Sequence, residues 1–319
     1  MSFFGGGTDY PAWYRSEGGS VISTTINKYL FLSCHELPPF FEMRHRIIWS
    51  KIENVCSIEK IEHPAIREGL KFLGFDNQVG LDIHYQADLP GLSGMGSSSS
   101  FAVGLINTLS AFQGKHLDRH ELALKAIHLE SNLLDEAVGV QDQLAAAYGG
   151  FNRMRFNSDG ELSVSPVQIS AERMARLEDH LMLFFTSLTR YAFHVAADII
   201  SNIMTKKITL TRINDIVDEA SSILSSEASL TPIGELLHES WHLKKMLSQQ
   251  VSTERIDEIY DAAMSSGAVG GKLLGAGGGG MILFFVPPEK QDQVRAKFKG
   301  LLEVPFKFSN QGSMVRVLK

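Results

Sequence analysis

Hydrophobic and polar residues alternate in short segments of the first half of the chain. Val79, Leu81, Ile83 and Tyr85 recur with a period of two, which is typical of a half-buried strand. Patterns of this kind predict strands over residues 21–26, 30–33, 47–52 and 79–87. A helical period predicts helices over residues 63–73, 101–112 and 118–134, and a buried helix within 139–148. Asp118 and Glu121 form a capping box at the start of the third helix.

Amphipathic helices dominate the middle of the chain. Apolar residues at helical spacing predict helices over residues 192–206, 211–226, 233–248, 255–265 and 289–302. Short apolar runs predict strands over residues 181–186, 269–274, 281–286, 304–308 and 314–317. Because strands cluster early and helices follow, the order favours an α+β fold over regular βαβ alternation.

Composition and charge narrow the class of protein. The 319 residues allow one large domain or two packed domains, and the net charge of −6 disfavours nucleic-acid binding. Cys34 and Cys56 cannot form a disulfide framework or a four-cysteine zinc site. No apolar run reaches about 18 residues and the N-terminus lacks a signal-peptide pattern, so we expect a cytoplasmic protein without a membrane span.

Glycine placement points to a ligand site. Half of the 28 glycines lie in three short segments, residues 5–7, 91–96 and 267–280. Glycine is unfavourable inside helices and strands, so such clusters mark tight turns or backbone that approaches a ligand closely.

The segment from Gly91 to Ser100 favours phosphate binding. Its glycine spacing fits the P-loop frame, but Ser97 stands where that motif needs lysine. The glycines nevertheless lead directly into a predicted helix, whose free N–H groups and positive end attract anions. Serine hydroxyls there can bind phosphate or Mg²⁺. The alternative is a serine-capped helix after a mobile loop.

The run from Gly275 to Gly280 fits the spacing of a dinucleotide-binding motif. That motif requires a helix after the glycines, whereas a strand is predicted over residues 281–286, so we exclude NAD binding. A glycine turn between strands, with Lys272 just before it, can lie close to a ligand. A hairpin without a ligand is the alternative.

Three acidic residues are candidates for chemistry. Asp9 follows the first glycine cluster and could accept hydrogen bonds from hydroxyl groups, or simply form a turn. Glu130 borders an apolar helix face, where it is either a metal ligand or a charged residue at the edge of that face. Asp142 precedes an alanine run, and a partly buried aspartate is a candidate base.

These motifs together resemble the small-molecule kinases that include galactokinase, homoserine kinase, mevalonate kinase and phosphomevalonate kinase. The resemblance implies a two-domain α+β fold of mixed sheets and helices with the active site between the domains, here residues 1–165 and 166–319. Within the family, residues 4–11, 96–100 and 139–143 look most like bacterial kinases of D-glycero-D-manno-heptose 7-phosphate. Those enzymes make the 1,7-bisphosphate used for nucleotide-activated heptose in surface polysaccharide. Fucose-type and galactose-type kinases remain alternatives, and the decarboxylase branch is a weaker one.

The resemblance also implies roles for residues, with ATP and Mg²⁺ as cofactors and a possible homodimer. Asp142 would be the catalytic base. Mg²⁺ would be held by Ser97, Ser98 and Glu130. ATP would be bound by Gly91, Ser93, Gly94, Met95, Gly96, Ser97, Ser98 and Ser99. The sugar phosphate would be bound by Gly6, Gly7, Thr8, Asp9, Tyr10, Arg190, Gly277, Gly278 and Gly279.

Two departures from the family pattern bear on these roles. Galactokinase has a Glu-His pair where this chain has Gly6 and Gly7, which would free space for a bulkier or phosphorylated sugar. The family also carries an arginine that would fall immediately before Met1. Its absence predicts a misassigned start, a truncated chain, or a catalytically impaired homologue that only binds nucleotide or sugar.

Overall fold

Three β-sheets and the helices packed on them form the part of the chain that the computed structural model describes, residues 1–188 and 192–318. The strands are β1 (Ser2–Phe4), β2 (Gly19–Ile26), β3 (Leu30–Glu36), β4 (His45–Ile48), β5 (Ile52–Val55), β6 (Leu81–Ala87), β7 (Phe151–Phe156), β8 (Leu162–Pro166), β9 (Leu181–Phe185), β10 (Gly270–Leu273), β11 (Met281–Phe285), β12 (Leu302–Glu303) and β13 (Phe308–Ser309). The α-helices are α1 (Pro11–Glu17), α2 (Pro64–Phe72), α3 (Ser97–Phe112), α4 (Arg119–His128), α5 (Gln141–Tyr148), α6 (Ala171–Asp179), α7 (Ala192–Asn202), α8 (Lys207–Ser225), α9 (Thr231–Lys245), α10 (Glu254–Ser265) and α11 (Gln291–Lys297).

The sheets differ in their strand directions. The first has the order β1-β2-β7-β8, with β13 also paired to β2, and all of its pairs are antiparallel. The second, β3-β6-β4-β5, is mixed because β4 runs parallel to β6. The third, β10-β11-β9-β12, is antiparallel. The predicted α+β class with mixed sheets is therefore confirmed, whereas the boundary at residue 165 stays a prediction.

Most predicted elements are present, with a few corrections. The strand predicted over 47–52 is instead a hairpin, because Trp49 and Lys51 form the turn between β4 and β5. The helix predicted over 118–134 is capped by Asp118, as expected, but passes into a π-helical turn over Leu129–Leu133. The hydrophobic and polar pattern did not predict β1, α1, β7, β8, α6 or β12.

The C-terminal predictions were the least accurate. The helix predicted over 289–302 ends at Lys297, and between β12 and β13 lies the irregular segment 304–307. The strand predicted over 314–317 is wrong, because residues 310–318 are irregular. This segment crosses α5, where the Ser313 N–H donates to the carbonyl of Ala146, and pairs with no strand. No helix in the described part of the chain is long and apolar enough to cross a bilayer.

Strand β6 leads into the glycine loop before α3, and a buried carboxylate anchors it. Asp82 is fully buried on β6 and accepts hydrogen bonds from Arg46 of β4 and from His84. Burial by itself would raise the pKa of Asp82, but the hydrogen bonds and charges of Arg46 and His84 outweigh it and hold the pKa below its ordinary value.

A pH dependence of stability follows from this cluster. A lowered carboxyl pKa stabilises the fold above the unfolded value of about 3.9, and this contribution is lost as the pH falls through the folded value. We therefore expect Asp82→Asn to be destabilising at pH 7 and to approach the wild type below about pH 4. Urea unfolding of both proteins at pH 7 and pH 3 measures this, and an equal difference at both values would contradict it.

Candidate active site

A cavity of about 410 Å³ brings the three glycine segments together. Its walls come from the first ten residues, the loop before α3, the segment before α5, and parts of α7, α9 and β10. Among the predicted site residues, those that line it are Gly6, Gly7, Asp9, Tyr10, Ser93, Gly94, Met95, Gly96, Ser97, Ser98, Ser99 and Asp142. A second cavity of about 870 Å³, bordered by β3, α3 and residues 311–318, also reaches Gly96 and Asp142.

The loop before α3 has the geometry of an anion cradle. Gly96 takes a left-handed conformation, with φ of 70°, and α3 begins at Ser97. The first N–H groups of a helix have no partner within the helix, and the residues of this first turn, Ser97, Ser98 and Ser99, line the cavity. A side chain at Gly96 would also crowd the Asp142 carboxylate, because a Cβ there would lie 3.1 Å from Oδ2.

The third glycine segment holds this loop in place. The Met281 N–H donates to the Ser93 carbonyl at 2.8 Å. A Cβ on Gly275 would lie 2.6 Å from the Cα of Gly94, so the two segments can approach this closely only as glycines. The segment is followed by the strand β11, whereas a dinucleotide-binding motif requires a helix at this point.

Asp9 is held rigidly at the cavity wall. It is 2% exposed, and its carboxylate accepts hydrogen bonds from the N–H groups of Gly7 at 3.0 Å and Gln141 at 3.4 Å. Burial raises the pKa of Asp9 to about 6, and the nearby charge of Asp142 adds to this shift. A Cβ on Gly139 would lie 1.8 Å from Asp9 Oδ2, so only glycine fits there.

Asp142 lies in the first turn of α5, half-buried, and faces the cavity. Burial raises the pKa of its carboxyl, and the positive charges of the Met1 amino group and of Lys244 oppose that shift. A carboxylate whose pKa is raised takes up a proton more readily, which is what a general base requires.

Glu130 lies behind the cavity wall. It is buried in the π-helical turn Leu129–Leu133. Its carboxylate accepts one hydrogen bond from Ser98 Oγ at 2.6 Å and another from Gln143 Nε2 at 2.7 Å. Burial raises the pKa of Glu130 to about 7. Ser98 and Glu130 thus place two oxygen donors side by side, the ligand chemistry that Mg²⁺ prefers, so these residues fit the metal that the resemblance implies.

Two lysines also line the cavity, and the sequence analysis had singled out only one of them, Lys272. Lys272 on β10 is 4% exposed and donates to the Phe3 carbonyl at 2.9 Å. Lys244 on α9 is 9% exposed and donates to the carbonyls of Leu273 and Gly275. Lys272 stood beside the third glycine segment, whereas Lys244 lies in a helix with no motif.

Three buried side-chain oxygens at the cavity wall have no hydrogen-bond partner among the described residues. They are Ser2 Oγ, Ser93 Oγ and Gln141 Oε1. A buried polar atom without a partner costs about 1–3 kcal/mol, so such atoms around one cavity indicate a polar ligand. Ser2 and Gln141 were not among the predicted site residues: Ser2 carries no motif, and in the segment 139–143 only Asp142 was assigned a role.

Several predicted site residues lie elsewhere. Thr8 is buried behind the wall, and its hydroxyl donates to the carbonyls of Gly5 and Ser20. Gly91 is exposed at the start of the loop and does not line the cavity. Gly277 and Gly278 lie against Val251, and Gly279 lies against Leu188, outside the cavity wall. Arg190 lies outside the described residues.

Comparisons with known proteins agree with the motif pattern. The family model of the GHMP kinases N terminal domain matches residues 60–150, and that of the GHMP kinases C terminal matches residues 224–303. Together they cover more than half of the chain. The D-glycero-alpha-D-manno-heptose 7-phosphate kinase of Campylobacter jejuni is 28% identical, over 98% of this chain and 95% of its own length.

Solved structures show the same fold. A D-glycero-D-manno-heptose 1-phosphate kinase from Bacteroides thetaiotaomicron superimposes with a TM-score of 0.74 at 24% identity, covering 100% of this chain and 97% of that one. Galactokinase of Lactococcus lactis, complexed with galactose, gives a TM-score of 0.70 at 17% identity, covering 98% and 91%. The fold of this chain is therefore the one that these kinases share.

Proposed function

Because the chain belongs to the GHMP kinase family and is therefore a phosphotransferase, we propose that it phosphorylates a sugar phosphate, most specifically D-glycero-D-manno-heptose 7-phosphate. The γ-phosphate of ATP would pass to the anomeric hydroxyl, giving the 1,7-bisphosphate and ADP. The near full-length similarity to the Campylobacter jejuni enzyme supports this substrate class. The product would then feed the synthesis of a nucleotide-activated heptose.

One observation carries the proposal: Asp9, Asp142 and the start of α3 line a single cavity. The loop Gly94–Gly96 and the first turn of α3 would bind the ATP phosphates. Phosphoryl transfer depends on positioning and charge neutralisation more than on covalent chemistry, so this arrangement is sufficient.

The transfer itself needs a base and a metal. The sugar hydroxyl would form the new O–P bond and give its proton to the Asp142 carboxylate, while the bond from the γ-phosphorus to the bridging oxygen breaks and ADP leaves. Ser97, Ser98 and Glu130 would hold Mg²⁺, which neutralises phosphate charge when bound. Asp9, Gln141 and Ser2 would hydrogen-bond sugar hydroxyls.

A substrate panel tests the proposal. We expect kcat/KM, measured by ADP release, to be highest for heptose 7-phosphate among that sugar phosphate, heptose 1-phosphate, L-fucose and D-galactose. The absence of side chains at Gly6 and Gly7 would leave room for the larger sugar. A preference for any other member of the panel would overturn the substrate, and ATP binding without turnover would favour a homologue that has lost catalysis.

Gly139→Ala tests the placement of Asp9. The new Cβ would overlap the Asp9 carboxylate, so Asp9 must move away from its N–H donors. Because a displacement of about 1 Å can cost 10²-fold in rate, we expect kcat/KM for the sugar phosphate to fall by about that factor. Gly300→Ala is the control, since nothing lies within 4 Å of a Cβ there. Equal activity of the two variants would contradict the role of Asp9.

A further inference from the structure

We propose that Lys244 and Lys272 bind the phosphoryl group while it is transferred, and so supply positive charge from the side of the cavity opposite α3. This inference rests on the proposed function, since it names two more residues for the same reaction.

Glycines make the approach of α9 and β10 possible. A Cβ on Gly270 would lie 1.9 Å from the carbonyl oxygen of Gly234, so the strand packs directly on the helix backbone. This contact places Lys244, in the last turn of α9, beside Lys272 on β10, and the positive charge of Lys272 adds to burial in lowering the pKa of Lys244. Both side chains line the cavity.

Neither lysine forms an ion pair in the described part of the chain, although the charges of Asp9 and Asp142 act on them from a greater distance. Among the described residues, no carboxylate lies within ion-pair distance of either ammonium group, although both are more than nine-tenths buried. Each is bonded only to backbone carbonyls: Lys272 to one and Lys244 to two, whereas an ammonium group has three donors. A buried positive charge without an ion-pair partner is unfavourable, so the pair indicates that an anion from outside the chain binds between the two ammonium groups.

The position of the two lysines in the cavity indicates which anion binds between them. The charges of both lysines act on Asp9, and that of Lys244 also acts on Asp142, so the pair lies at the reacting end of the cavity. Lys244 donates to the carbonyl of Gly275, and Gly275 lies against Gly94 of the loop before α3. An anion held between these groups is a phosphoryl group near the base, rather than the distant phosphate of a sugar phosphate.

The protonation states agree with this role. Burial lowers the pKa of Lys272 to about 8, so it remains mostly charged at neutral pH. Burial lowers the pKa of Lys244 well below its ordinary range, and a phosphate beside it would favour the charged form again.

Two measurements on Lys244→Met and Lys272→Met test the inference, with the exposed Lys299→Met as control. Methionine keeps the apolar stem and removes the charge, together with the hydrogen bonds that the ammonium group donates to backbone carbonyls. In steady-state assays with ATP and heptose 7-phosphate, we expect kcat to fall by about 10²-fold for each variant with the KM of the sugar phosphate little changed. Thermal unfolding with inorganic tripolyphosphate should show at least tenfold weaker binding than the wild type, while Lys299→Met binds normally.

Each outcome decides between alternatives. A rise in the KM of heptose 7-phosphate at unchanged kcat would place the lysines at the sugar's own phosphate and overturn the inference, as would unchanged tripolyphosphate binding. If the wild type phosphorylates none of the sugars, the proposed function fails, and the tripolyphosphate measurement still decides whether the lysines bind phosphate. Unfolding temperatures within a few degrees of the wild type without ligand would show that lost activity is not lost structure.

Discussion

Asp142→Asn is expected to abolish most of the phosphoryl transfer while leaving the fold and ATP binding intact. The amide has nearly the same shape as the carboxylate but cannot accept the hydroxyl proton. General-base catalysis contributes about 10²–10⁴-fold, so kcat for the sugar phosphate should fall by a factor in that range. Pre-steady-state measurement of ADP formation, with ATP binding followed separately, checks both parts of the expectation.

Asp135→Asn is the matched control for this prediction. Asp135 is exposed and lies seven residues earlier, on the connection that leads to α5. Its substitution by asparagine removes one negative charge, as Asp142→Asn does. Its positive φ of 52° is a conformation that asparagine also tolerates, so its activity should remain at the wild-type level. Full activity of Asp142→Asn would mean that another group accepts the proton.

Arg173→Met is expected to cause the largest loss of stability. Arg173 of α6 is 1% exposed, and its guanidinium donates to the carbonyls of Leu224 at 3.1 Å, Ala228 at 2.7 Å and Ile223 at 2.8 Å. It therefore caps the C-terminal end of α8, where a positive charge is favourable. Methionine would leave these carbonyls without their donor, at a cost of about 3–5 kcal/mol.

Arg176→Met on the same helix provides the comparison. Arg176 is half exposed, and its nearest carboxylate, that of Glu227, lies 3.9 Å away. Exposed pairs contribute about 0–1 kcal/mol, so urea unfolding should barely distinguish this variant from the wild type. Similar losses for Arg173→Met and Arg176→Met would show that the buried cap is not what stabilises α8.

Short sequence motifs predicted the parts of the structure that depend on residues close together in the sequence. The glycine loop before α3, the strand after the third glycine segment and the Asp118 cap all follow from short-range hydrogen bonding and backbone sterics. The same reasoning missed β7 and β8, where arginines and serines occupy the outward positions between buried residues. It also predicted a strand over 314–317, where the chain has the apolar pattern but no strand to pair with.

The sequence by itself determined that three glycine segments and three acidic residues were candidates for one site, and it determined the α+β class. Only the tertiary structure decided which polar side chains share the cavity: it brought in Lys244, Lys272, Gln141 and Ser2, and it left Thr8, Gly91 and Gly277–Gly279 outside the cavity wall. The physical reason is that spacing along a chain reports hydrogen bonds and faces within one element. The meeting of α9, β10 and the loop before α3 depends instead on close backbone contacts between residues far apart in sequence, Gly234 with Gly270 and Gly94 with Gly275.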